Sequence, residues 1–292
     1  MARVAYVNGS YVHHAHGAVH IEDRGYQFSD GIYEYIAFYH RRLLDGELHF
    51  QRLERSLAEL SIAAPMSRKA LGLVIAQLIA RNEREHGGLY LQISRGVARR
   101  DHAFPKQARP SLVMTVGAAK FPKPDEVKHG VSVITQPEQR WARRDIKSIS
   151  LLANVLAKQQ ASASGAREAW LVEQDGKMTE GAVSNSYIVS AQGDIITHPA
   201  DQNILGGITR DVLLRLAAND GLKVCERPFN LDDVAAATEA FITSTSINVL
   251  PVVRVDGKPV GTGKVGDITR RLQRLYDTHV FEQTGFKRDD LN

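Results

Sequence analysis

The chain has 292 residues, 43% hydrophobic and 24% charged, which is enough for two globular domains with ordinary cores. The net charge of +4 comes from scattered basic residues, including the pairs Arg41-Arg42, Arg99-Arg100, Arg143-Arg144 and Arg270-Arg271. No polybasic block forms, so nucleic-acid binding is disfavoured and a surface tolerant of anionic substrates is expected.

Cys225 is the single cysteine, which excludes a disulfide within the chain and reads as a small packing residue. His13, His14 and His16 lie close together but lack a further ligand at metal-site spacing, so no metal is expected. Met1–Gly9 has no apolar core of the secretory kind, and the apolar stretch Leu73–Ala80 is too short to span a bilayer. A cytoplasmic protein is expected.

In chain order, Val4–Val7, the turn residues Asn8-Gly9 and Ser10–Val12 form a hairpin, because Asn-Gly accepts the positive φ of a tight turn. Asp45-Gly46, Asp175-Gly176 and Asp256-Gly257 repeat the signal and imply antiparallel sheet in both halves. Phe50, Leu53, Leu57 and Leu60 recur at helical spacing, so His49–Ser61 is a helix, and Lys69–Arg84 is a second, ended by Gly87-Gly88. Leu89–Ser94 and Ser111–Gly117 read as strands. Two prolines and two lysines without periodicity in Lys120–Pro124 mark an interdomain linker at 120–126. It separates a small N-terminal α/β domain, 1–119, from a large C-terminal one, 127–292.

Beyond the linker, Val131–Thr135 is a strand and Ser148–Ala163 an amphipathic helix with Leu152, Val155 and Leu156 on neighbouring turns. Ala169–Glu173, Ser186–Val189, Lys223–Arg227, Ala240–Thr243 and Leu250–Val255 are strands, while Thr209–Asn219 and Val265–Thr278 are helices. The pattern predicts two mixed α/β domains with largely antiparallel sheets.

Four clusters carry possible chemistry. In Asp145-Ile146-Lys147-Ser148 a lysine sits where a strand or loop hands over to a helix, a place suited to a Schiff-base amine. Thr179-Glu180-Gly181, followed by Ser184-Asn185, offers a carboxylate that beside a pyridine ring would keep its nitrogen protonated. Leu205-Gly206-Gly207-Ile208-Thr209 opens a helix, where backbone N–H groups and the helix dipole attract anions. The hydroxyl-rich Thr243–Ser246 loop and Arg52 are further phosphate donors. Arg100-Asp101-His102 suits a small carboxylate. Read singly, each has an ordinary surface or turn explanation.

Their order resolves the matter. Arg24–Phe28 with Asp30-Gly31-Ile32-Tyr33-Glu34, then Asp145–Lys147 with Asn154–Lys158, then Thr179–Gly181 with Ser184-Asn185, the Gly207–Arg210 turn and the Thr243–Ser246 loop resemble the fold-type IV pyridoxal-phosphate (PLP) enzymes from about Val4 to Tyr276. Within that group, Arg100-Asp101-His102 resembles the D-amino acid aminotransferases.

The resemblance implies an α/β fold of two domains with the cofactor, pyridoxal 5'-phosphate, between them. It implies that Lys147 carries the cofactor and shuttles the proton, and that Glu180 pairs with the pyridine nitrogen. Arg52, Gly207, Ile208, Thr209, Ser244 and Thr245 would hold the phosphate, and Leu205 would pack on the ring. Tyr33, Arg100 and His102 would clamp the substrate α-carboxylate, with the Arg-His loop offered by the partner in a homodimer. The implied reaction moves an amino group between a D-amino acid such as D-alanine and a 2-oxo acid such as 2-oxoglutarate or pyruvate.

The alternatives are transamination of branched-chain L-amino acids or (R)-amines, an aminodeoxychorismate-type lyase, and PLP binding without turnover, which intact Lys147 and Glu180 argue against. Ala182-Val183 stands where related chains often carry serines, so thinner hydrogen bonding near the cofactor is expected, and Tyr35 is bulkier than the pattern suggests, so a narrowed substrate pocket is expected.

Overall fold

The computed structural model describes residues 3–118 and 121–287, which gather into two compact units. The first holds residues 3–118 together with Ile146–Ser150 and Gln283–Phe286; the second holds residues 121–145, 151–282 and 287.

The elements of the first unit are β1 (Val4–Val7), β2 (Ser10–His13), α1 (Arg24–Phe28), β3 (Gly31–Tyr39), β4 (Arg42–Leu43), α2 (Gly46–Glu59), α3 (Arg68–Arg81), β5 (Gly87–Ser94) and β6 (Ser111–Gly117). Among the described residues they form a six-stranded antiparallel sheet in the order β2-β1-β6-β5-β3-β4. Strand side chains alternate between faces. Ile32, Ile36, Phe38, Leu89, Leu91, Ile93, Leu112 and Met114 therefore share a core with Phe50, Leu53 and Leu57 of α2 and with Leu71, Ile75 and Leu78 of α3. The alternate positions of the sheet carry Tyr33, Tyr35, Tyr90 and Gln92.

Two local expectations are corrected. Asp45-Gly46 is not a hairpin turn. The reversal from β3 to β4 is made by His40 and Arg41, both at positive φ (46° and 61°). Asp45, itself left-handed at φ 52°, is the residue before α2, and Gln283 holds its N–H and its carboxylate at 3.0 and 2.8 Å. Ser148 does not begin a helix. The Tyr33 N–H donates to the Lys147 carbonyl (3.0 Å) and the Ile149 N–H to the Gly31 carbonyl (3.1 Å), so the segment runs extended along β3 and the helix waits until Leu152.

The second unit contains α4 (Pro124–His129), β7 (Val131–Pro137), α5 (Leu152–Ala163), β8 (Glu168–Val172), β9 (Met178–Gly181), β10 (Asn185–Val189), β11 (Ile195–Thr197), α6 (Ile208–Asn219), β12 (Val224–Glu226), α7 (Leu231–Ala236), β13 (Glu239–Ser244), β14 (Asn248–Val255), β15 (Lys258–Pro259) and α8 (Asp267–Thr284), whose last residues belong to the first unit. α4 starts inside the 120–126 stretch, with Pro124 in its first turn and Glu126 reaching back to the Lys123 N–H; Lys120 lies outside the described residues. The sheet runs β12-β11-β10-β13-β14-β7-β8-β9, with β15 on β14. β11/β12, β14/β7 and β7/β8 are parallel, and the other pairs are antiparallel.

Trp170, Met178, Phe229, Ile242, Leu250 and Val252 fill the main core. α5 packs through Ala157 and Ala161 on Ala169, Leu171 and Ala182, which leaves Leu152, Val155 and Leu156 facing outward. Among the described residues no helix is long and apolar enough to cross a membrane.

Leu78 is fully buried in the first core. Leu78→Ala removes its packing and leaves a cavity, so a loss of about 3 kcal/mol is expected in equilibrium denaturation. A loss under about 1 kcal/mol would show that the core closes over the gap.

Candidate active site

Lys147 belongs to the first unit. Its main chain is fixed by the pairing with β3, and its Nζ lies 4.3 Å from the centre of the Tyr33 ring, a cation–π distance. The next residue of β3, Glu34, points to the opposite face and is buried. Its carboxylate accepts two bonds from Arg52 (Nε and Nη2, both 2.8 Å) and one from His49 Nδ1 (2.8 Å). Burial alone would raise the Glu34 carboxyl, but Arg52 and His49 bring it down to about 2. Burial lowers His49, with Arg52 and Lys147 adding to the effect against the pull of Glu34. Arg52 therefore enters any phosphate contact already paired with a carboxylate, a constraint its place in the sequence did not reveal.

Tyr33 lies 5.8 Å, ring to ring, from Tyr90, whose hydroxyl donates to Gln92 Oε1 at 2.7 Å. Burial, with the nearby Tyr33, pushes Tyr90 up to about 12. Tyr35 lies over Gly88: a Cβ there would fall 2.0 Å from the Tyr35 hydroxyl, so the glycine makes room for the ring. Arg100 and His102 occupy an exposed loop after β5 and both stand beside Phe28, at 5.0 and 5.3 Å from its ring.

The second unit carries the other predicted residues. Glu180 lies on strand β9, not in a turn, and is buried. Its Oε1 accepts from Arg140 Nη1 (2.5 Å) and the Leu205 N–H (3.0 Å), and its Oε2 accepts from Asn185 Nδ2 (2.8 Å). Burial raises the Glu180 carboxyl, opposed chiefly by the Arg140 guanidinium. Arg140 in turn grips Glu138. An ionised carboxylate has about four acceptor places, and three donors leave one on Oε2. That remaining place suits a protonated ring nitrogen.

Asn185 also donates to the Leu205 carbonyl (3.0 Å), tying Glu180 to the turn before α6. Gly207 precedes α6, and a Cβ there would come within 2.1 Å of Asn185 Oδ1. Ile208 and Thr209 form the first turn of this 12-residue helix, where the backbone N–H groups have no partner within the helix. Ser244 ends β13, with its Oγ 3.2 Å from Ser246 Oγ, and Thr245 follows in the turn to β14. These residues fit the group the sequence called for: a buried carboxylate with an open acceptor place, and a glycine-led helix start for a phosphate. Arg140 and His49 were missed by sequence reasoning. Nothing in their spacing separates them from other arginines and histidines, since their partners come from other elements.

Acid should destabilise the first unit in two stages. His49 is held neutral in the folded state, so stability falls as pH drops below about 6.5, its ordinary value. Glu34 contributes stability present above its ordinary value near 4.5 and lost as pH falls toward about 2. Melting temperature against pH should show both, and His49→Gln should remove the earlier one; an unchanged profile in that variant would overturn the assignment.

The family profile described as Amino-transferase class IV matches residues 31–255. A D-alanine aminotransferase of Bacillus licheniformis is 42% identical over 280 residues, covering 95% of this chain and 97% of that one. One from Staphylococcus haemolyticus is 39% identical over 277 residues, covering 94% and 97%. Among solved structures, the branched-chain amino acid aminotransferase of Escherichia coli has the same fold, with a TM-score of 0.90 at 23% identity, covering 99% of this chain and 97% of that one. The chain therefore belongs to the class IV aminotransferases and works with pyridoxal 5'-phosphate.

Proposed function

We propose that the protein is a D-amino acid transaminase, moving the amino group of D-alanine to a 2-oxo acid such as 2-oxoglutarate. The observation that carries this reading is the buried Glu180 carboxylate with its one remaining acceptor place, in a chain about 40% identical to D-alanine aminotransferases. Lys147 would carry the cofactor covalently, and Glu180 would face its ring nitrogen. Arg52, Gly207, Ile208, Thr209, Ser244 and Thr245 would hold its phosphate, and Leu205 would pack on its ring. The bound cofactor supplies an electron sink for the bond broken at the substrate Cα.

The chain's own groups do the rest. Lys147 Nζ would take the substrate Cα proton and return it on the way to product. Arg140 opposes the effect of burial on the Glu180 carboxyl and fixes its direction, and Asn185 holds its second oxygen. Tyr33, Arg100 and His102 bind the substrate carboxylate, and the side from which they hold it decides for the D-isomer. Tyr35 narrows the sheet face beside Tyr33 and so favours small side chains.

The same reading makes the working unit a cytoplasmic homodimer. Leu152, Val155 and Leu156 on α5 are 72, 58 and 57% exposed, and Ile21 and Tyr26 are 76 and 77% exposed. Apolar faces of this extent are what a second copy of the chain would cover. Arg100 and His102, both exposed, would then serve the partner's site.

Offering the cofactor-loaded protein D-alanine and L-leucine separately, and following the cofactor's visible band, tests the substrate class. Fast conversion by L-leucine with none by D-alanine would overturn the D-amino acid reading. Lys147→Ala should cut transamination by on the order of a thousandfold or more while circular dichroism stays native; full activity would refute the role of Lys147. Leu156→Glu should shift the protein toward a monomer in light scattering and lower its activity, and a dimer of full activity would place the subunit contact elsewhere.

A further inference from the structure

The loop that carries Arg100 and His102 is exposed, yet its main chain is held from beneath by a buried cation. Arg24, 3% exposed, donates from Nη1 to the Asp101 carbonyl (2.6 Å) and from Nη2 to the His102 carbonyl (3.4 Å). Its Nε is paired with Asp30 Oδ2 (2.7 Å) and its own N–H donates to the Gly96 carbonyl (2.9 Å). Asp30 is shared with Arg95 (2.7 and 3.0 Å), which also donates to the carbonyls of Ser61 and Leu60 and lies 3.6 Å from the centre of the Phe104 ring. Burial would raise the Asp30 carboxyl, but Arg95 and Arg24 hold it below the ordinary range, so the cluster stays charged near neutrality.

One helical turn after Arg24 comes Phe28, on the same face of α1. Its ring receives three groups: the Arg24 guanidinium at 4.8 Å, the Arg100 guanidinium at 5.0 Å and the His102 ring at 5.3 Å. A long arginine side chain on an exposed loop loses rotamer freedom when it binds an anion. Resting on an aromatic face reduces the freedom left to lose, and so spends less of the binding energy on ordering.

We propose that Arg24 and Phe28 are the positioning residues of substrate-carboxylate recognition: Arg24 fixes the main chain of Asp101 and His102, and Phe28 fixes the side chains of Arg100 and His102. The proposal rests on the reading of Arg100 and His102 as the carboxylate clamp. Neither Arg24 nor Phe28 touches substrate, so their effect should fall on binding and leave the chemical step alone.

The test uses the cofactor-loaded protein and its variants Arg24→Gln and Phe28→Leu, with Arg100→Ala as reference. Hydrogen–deuterium exchange of the peptide spanning 97–104 should speed up in both positioning variants. The KM for D-alanine should rise about tenfold while kcat stays within about twofold. The affinity for pyridoxal 5'-phosphate, titrated by fluorescence, should not change. If Arg24→Gln fails to fold because Asp30 loses a partner, Phe28→Leu carries the test alone. Unaltered exchange, or an unaltered KM where Arg100→Ala raises it, overturns the positioning role. An Arg100→Ala protein with an unaltered KM sinks the clamp reading itself, and with it the substrate half of the proposal; the exchange result still decides whether Arg24 and Phe28 hold the loop.

Discussion

The placement of Lys147 is decided by main-chain hydrogen bonding. The Tyr33 N–H and the Gly31 carbonyl of β3 engage the residues at and just after the lysine, so the segment behaves as a short added strand. Two consequences follow from that pairing alone. The lysine shares a strand-edge position with Tyr33, whose ring its amine approaches. The helix that would otherwise have started at Ser148 is delayed to Leu152, because the backbone groups that would have opened it are already used.

Charge is managed differently around the two carboxylates that matter. Glu34 is paired with Arg52 and His49, and its carboxyl is held near the bottom of the usual range. Glu180 meets an arginine, an amide and a main-chain N–H, yet burial keeps its carboxyl raised, and it retains an acceptor place. The first arrangement is a closed structural pair, for which removing one partner would strand a buried charge. The second has room for one further donor, a place that would suit a protonated ring nitrogen.

Much of the fold was legible. The spacing of Phe50, Leu53 and Leu57 announced α2, and Asn8-Gly9 announced the first hairpin, because those signals depend on neighbours in the chain. The errors have one physical source. Asp45-Gly46 has the composition of a hairpin turn, but Gln283, far along the chain, captures Asp45 at the start of a helix. Leu152, Val155 and Leu156 marked an amphipathic helix, but α5 packs through Ala157 and Ala161 and leaves those three exposed. β3, the strand that carries Tyr33 and pairs with the Lys147 segment, was not singled out at all, since Glu34 in its middle looks like a solvated charge until His49 and Arg52 are folded against it. Motif order singled out Lys147 and Glu180, whereas Arg140, whose guanidinium binds Glu180, carries no signature of its own.

The composition of the first unit bears on how the protein is made. Its sheet is finished within the first 118 residues, but Ile146–Ser150 and Gln283–Phe286 also belong to it. Tyr39 stacks on Phe286 at 4.4 Å, and His40 and Asp45 contact Thr284 and Gln283. On a ribosome releasing the chain from its N-terminus, the first unit can begin to fold early but is completed only after residues 151–282 of the second unit have emerged. Until then the Tyr39 ring lacks its Phe286 stack, whereas the strand edge beside Tyr33 is paired once Ile146–Ser150 has emerged, so Lys147 is set in place well before the unit is closed.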